Sequence, residues 1–93
     1  MSEDKEKYLE AFFFHMYQHF VISRMPGHNA ALHARHLWTL FVRMKELYGL
    51  QWLKDTVEQR IRTLRAGAMP YAPEFAEERY VHYCEMYASM LQR

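Results

Sequence analysis

The chain has 93 residues, about half of them apolar and a quarter charged, and its net charge is +1. This length allows one domain, residues 1–93, and excludes a two-domain enzyme. The aromatic content excludes a disordered chain, and the single cysteine, Cys84, excludes a disulfide scaffold. No apolar run is long enough to span a membrane, and the N-terminus is too acidic for a secretion signal. We therefore expect a cytoplasmic protein without a membrane partner.

The first predicted helix runs from about Asp4 to Met25 and is apolar nearly all round. Only a narrow strip, carrying Tyr8, His15 and His19, is left to face water. A helix of this kind is typical of a buried position, so we expect it at the centre of the fold, with one side covered by other helices or by a second copy of the chain. The face that we assign to self-association consists of Phe14, Tyr17, Val21 and Met25.

The middle of the chain is predicted to form two helices, about Asn29–Tyr48 and Leu50–Arg65, with Asn29 as the N-cap of the first. The apolar stripe shifts by roughly 150° around the helix axis at Gly49. Glycine commonly follows the last residue of a helix, so a turn at Gly49 is the simpler interpretation. The alternative is one long helix whose two halves face different partners in an interlocked dimer.

A last helix is predicted to start near Pro73, because proline is common at the first helical position and acidic residues follow it. The apolar residues of the whole chain repeat at helical spacing and do not alternate for long. We therefore predict an all-α fold, a compact bundle of three to four helices that self-associates, most simply as a homodimer.

Four of the six histidines form two pairs at helical spacing, His15 with His19 and His33 with His36. Each pair places its side chains on one helix face, where both could ligate a transition metal. However, no His-Glu-x-x-His, Cys-x-x-Cys or haem-attachment motif occurs, so we predict no metal and no cofactor. A histidine-based metal-binding protein is kept as the third candidate function.

Two tryptophans and a group of arginines are the residues assigned to partner binding. The side chains of the tryptophans are predicted to project away from the apolar stripes of their helices, as interface anchors do. Residues 24–65 carry eight Lys and Arg against three acidic residues. The predicted surface consists of Trp38, Trp52, Arg60, Arg62 and Arg65.

No phosphate-binding loop or nucleophile motif occurs, so we predict no catalytic residues. The sequence favours a non-catalytic protein-binding module, such as an adaptor, inhibitor or regulator, that binds another protein as a homo-oligomer. The alternative is a nucleic-acid-binding regulator that uses the basic middle segment to neutralise phosphates.

Overall fold

The computed structural model describes residues 2–65 and 75–93, and their side chains from residue 4 to 64 and from 75 to 93. This part of the chain forms helices and connecting turns and contains no strand. The all-α prediction of three to four helices is therefore confirmed. The helices are α1 (Ser2–Ser23), α2 (Ala31–Tyr48), α3 (Leu50–Arg65) and α4 (Ala76–Leu91).

The chain divides into two units, Met1–Leu50 and Gln51–Arg93. We call them the N-terminal and the C-terminal unit. The prediction of a single domain remains a prediction. None of the helices in the described residues is long and apolar enough to cross a membrane.

In the N-terminal unit, α1 and α2 pack side by side and run antiparallel. The antiparallel direction follows from the contacts, since Tyr8 meets Tyr48 whereas His15 meets His33. The short connection between the two helices requires the same arrangement. The side chains buried in this unit are Leu9, Phe12, Met16, Phe20, Leu37, Phe41 and Met44.

The strip of α1 that we expected to face water is half-buried. Tyr8 and His15 contact α2, and His19 is also half-buried. The Phe14 side chain, in contrast, is 56% exposed. The prediction was wrong because apolar periodicity identifies the hydrophobic side of a helix but not the side on which a neighbour packs. Tyrosine and histidine have apolar ring faces that suit the border of such a contact.

The turn at Gly49 is confirmed. α2 ends at Tyr48, Gly49 follows with φ +91° and ψ 151°, and its N–H donates to the Lys45 carbonyl at 3.0 Å. The start of α2 differs from the prediction, because its N-cap is Ala30, which makes no side-chain capping bond. Asn29 lies one residue earlier, where its Oδ1 accepts the N–H of Ala31 at 2.8 Å.

In the C-terminal unit, α3 has the predicted bounds and buries Leu53, Val57 and Ile61. The predicted start near Pro73 lies outside the described residues. α4 buries three large side chains and also Arg79, which is only 6% exposed. The Arg79 Nε donates to the Tyr83 hydroxyl at 3.0 Å. The three large buried side chains of α4 are Tyr83, Tyr87 and Met90.

Candidate functional site

An open groove on the N-terminal unit contains one of the two predicted tryptophans. Trp38 is half-buried and its ring stacks on that of the buried Phe41, with centroids 5.7 Å apart and planes inclined by 12°. Stacking on a core residue fixes the indole, so that its remaining surface is presented in one orientation. We call this depression, of about 430 Å³, the Trp38 groove; it is lined by Tyr8, Trp38, Thr39, Leu40, Val42, Arg43 and Glu46.

A second depression, of about 300 Å³, lies beside the Trp38 groove and shares Tyr8 and Leu40 with it. The Arg43 Nε donates to the Tyr8 hydroxyl at 3.4 Å, and this bond is the main reason why the pKa of Arg43 is raised. The Tyr8 ring also meets the Tyr48 ring edge to face at 6.2 Å. Desolvation, followed by the charges of Asp4 and Tyr8, raises the pKa of Tyr48. Tyr8 therefore joins the two depressions into one surface of α1 and α2.

The other residues of the predicted partner surface lie on α3, which belongs mainly to the C-terminal unit. Trp52 and Arg60 are half-buried, whereas Arg62 is exposed and its Nη2 donates to Gln59 at 3.2 Å. At about 100° per residue, Arg60 and Arg62 project from different sides of α3. The side chain of Arg65, the last residue of α3, lies outside the described part. Within α3, therefore, these residues do not form one stripe.

The residues predicted for self-association are partly exposed, and we call them the Phe14 stripe: Phe14, Tyr17, Val21 and Met25. Phe14 is 56% and Met25 is 43% exposed, whereas Tyr17 and Val21 are half-buried. α1 ends at Ser23, so Met25 lies just beyond the helix and not on its face as predicted. The first three residues remain at helical spacing on one side of α1.

Three histidines from α1 and α2 meet, and we call them the His15 cluster: His15, His33 and His36. The Nδ1 atoms of His15 and His33 are 3.0 Å apart, and the His36 ring stacks on the His15 ring with centroids 4.8 Å apart. Burial, followed by the charges of His36 and His33, lowers the pKa of His15. The neutral form of His15 is therefore favoured.

The histidine pairs that the sequence indicated are not the ones that meet most closely. His19 contacts Ser23, whose Oγ lies 3.4 Å from its Nδ1. In the described residues, no group of three or more His, Cys, Asp or Glu side chains is arranged to hold a metal ion.

A smaller depression, of about 140 Å³, lies on the C-terminal unit between α3 and α4. The Tyr87 hydroxyl donates to Glu58 Oε2 at 2.9 Å on one side of it. Burial, followed by the hydrogen bond and the charge of Glu58, raises the pKa of Tyr87 far above its usual range. The half-buried thiol of Cys84 also lines this depression.

Sequence reasoning missed Arg43 as a feature of this surface, and it missed the contacts of Tyr8 with Tyr48 and of His15 with His33. Each depends on which residues of α2 lie opposite a given residue of α1. The short connection between α1 and α2 was a usable signal, because an antiparallel helical hairpin pairs early residues of its first helix with late residues of its second. The sequence gives no direct measure of that register.

No protein-family model, curated protein or solved structure matches this chain.

Proposed function

We propose that this chain is a non-catalytic protein-binding module that acts as a homo-oligomer, and that the Trp38 groove is the surface that binds its protein partner. The observation that carries the proposal is the groove itself. It combines a tryptophan fixed by stacking with tyrosine, leucine and valine side chains and with the polar groups of Arg43 and Glu46. Aromatic anchors and arginine are enriched in protein interfaces.

The shape of the groove favours a protein segment over a small molecule. It is open to solvent and continues into the second depression through Tyr8 and Leu40, so it forms an extended surface along α1 and α2. Small-molecule sites, in contrast, enclose most of their ligand. An amphipathic helix or an extended segment with two apolar anchors fits a surface of this kind.

The homo-oligomer rests on a different surface, the Phe14 stripe. A phenylalanine that is 56% exposed and has half-buried apolar neighbours on one helix side is a poor solvent-facing surface, but it suits contact with a second copy. We assign partner binding and self-association to separate surfaces, and single substitutions can test each.

Two matched threonines allow a test of the groove. Thr39 lines the groove and is exposed, and its hydroxyl donates to the Arg35 carbonyl at 3.1 Å. Thr63 on α3 is also exposed and makes the same bond to the Gln59 carbonyl at 2.9 Å. We expect Thr39→Arg to fill the groove and abolish partner binding, whereas Thr63→Arg leaves it intact. Both variants should retain the helicity of the wild type in circular dichroism.

Binding can be measured without knowing the partner in advance by placing a photocrosslinking amino acid at Glu46, an exposed residue of the groove. In cells that express the chain, we expect a protein adduct of one discrete mass, which Thr39→Arg removes and Thr63→Arg preserves. A nuclease-sensitive adduct that Thr63→Arg strengthens would support the nucleic-acid alternative instead. If Thr39→Arg leaves the adducts unchanged, the Trp38 groove is not the binding surface.

A further inference from the structure

The His15 cluster has a geometry that neither α1 nor α2 could produce alone. The Nδ1 atoms of His15 and His33 face each other across the two helices at 3.0 Å. In the absence of a metal, one ring donates its Nδ1 proton and the other accepts it. Both rings are half-buried. A neutral imidazole is the form of histidine that acts as a metal ligand.

The distance between the two nitrogens also suits a chelate. Imidazole nitrogens bind transition metals at about 2.0–2.1 Å, so two nitrogens 3.0 Å apart subtend an angle of roughly 95° at a shared ion. A right angle belongs to tetragonal coordination, the preferred geometry of Cu²⁺ and Ni²⁺. Tetrahedral Zn²⁺ would require the nitrogens to lie about 3.3 Å apart.

We propose that His15 and His33 form a two-imidazole chelate for a divalent transition-metal ion, Cu²⁺ or Ni²⁺ in preference to Zn²⁺, which bridges α1 and α2. Solvent would have to complete the coordination sphere, because no group of three or more His, Cys, Asp or Glu side chains in the described residues is arranged to hold a metal ion. When the ion binds, the ring that held its proton on Nδ1 holds it on Nε2 instead, and both Nδ1 lone pairs point at the metal. No net proton is released from two neutral rings.

His36 acts in this site as a positioning residue and not as a ligand. Its ring lies nearly parallel to that of His15, with planes inclined by 19° and centroids 4.8 Å apart. Stacked in this way, it restrains the His15 ring in the orientation that faces His33. His36→Phe keeps the stacking surface and removes the nitrogens, so it separates positioning from ligation.

The test is a Cu²⁺ titration of the untagged full chain, with glycine as a competing ligand to suppress weak surface binding. We expect one Cu²⁺ per chain, with an electron paramagnetic resonance spectrum that shows two nitrogen ligands. His15→Gln and His33→Gln should each weaken binding about tenfold or more, because even residues that only support a metal ligand contribute that much. Zn²⁺ should bind more weakly than Cu²⁺, and equal or tighter binding of Zn²⁺ would contradict the tetragonal geometry.

The matched control is His28→Gln, which alters an exposed histidine between α1 and α2 and should leave the affinity unchanged. His36→Phe should likewise retain one ion with two nitrogen ligands. Circular dichroism without metal checks the folding of each variant, and His33→Gln serves as the test if His15→Gln does not fold. The proposal is overturned if His33→Gln retains full affinity, if His28→Gln loses as much, or if His36→Phe abolishes binding.

Discussion

The hydrogen bond between Tyr87 and Glu58 joins a side chain of α4 to a side chain of α3. The Tyr87 side chain is buried and its hydroxyl donates to Glu58 Oε2 at 2.9 Å. A bond to a charged acceptor is stronger than one between neutral groups. Because burial and the charge of Glu58 disfavour a negative charge on Tyr87, the pKa of Tyr87 is raised and its neutral hydroxyl is favoured in the folded state.

We expect Tyr87→Phe to lower the free energy of unfolding by about 1.5 kcal/mol. This value is at the lower end of the range for a hydrogen bond to a charged group, because half-buried Glu58 can be rehydrated in the variant. Urea unfolding of this variant, of Glu58→Gln and of the double variant measures the coupling between the two side chains. Effects that simply add would show that the bond contributes nothing to stability.

The same contact predicts a dependence on alkaline pH. The unfolded chain loses the Tyr87 proton near pH 10, whereas the folded chain retains it, so this contribution to stability is present below pH 10 and declines as the pH rises further. The loss of stability between pH 9 and pH 11 should therefore be smaller in Tyr87→Phe than in the wild type. Equal losses would contradict the raised pKa.

At the scale of the helices, Gly49 sets the boundary between α2 and α3. Its φ of +91° and ψ of 151° lie in a backbone region that is open essentially to glycine alone. A Cβ atom built at this position meets no other atom within 4 Å, so space does not limit substitution here. Any L-residue at position 49 would therefore be strained by its backbone dihedral angles and not by contact with neighbouring side chains.

We expect Gly49→Ala to lower the free energy of unfolding by about 1–3 kcal/mol because of this strain. Gly49→Asn should be nearly as destabilising, since asparagine tolerates the left-handed helical region but not a ψ near 150°. A chemically ligated chain with D-alanine at position 49 is the control and should unfold close to the wild type. If L- and D-alanine have the same effect, backbone strain does not determine this turn.

The helices were largely predictable from the sequence, because their signals are local. The bounds of α3 agree with the prediction and α2 ends where predicted, since an apolar stripe and a glycine mark both points. Packing between helices was less predictable. Tyr8 and His15 contact α2 and are half-buried, because the register of the two helices decides which side chains meet. The burial of Arg79 beside Tyr83 on α4 was not foreseen either. The role of Trp38 in partner binding stays a prediction, and its stack on Phe41 was not foreseen.

At the scale of the whole molecule, the proposed function requires a surface through which two copies of the chain associate. The Phe14 stripe supplies that surface in our account, and the exposed Phe14 ring is its largest accessible apolar group. Leu32 on α2 provides a matched control, because it is exposed to the same degree, 57% against 56%, but lies outside the stripe. Neither side chain contributes to the buried core, so a charge at either position should leave the helices folded.

The most direct measurement is sedimentation velocity of the full chain over a wide concentration range, with Phe14→Glu and Leu32→Glu beside the wild type. We predict a wild-type dimer, a Phe14→Glu variant whose dissociation constant rises by about tenfold or more, and a Leu32→Glu variant that remains dimeric. A wild-type chain that stays monomeric at every concentration, or a Leu32→Glu variant that dissociates as readily as Phe14→Glu, would contradict the account.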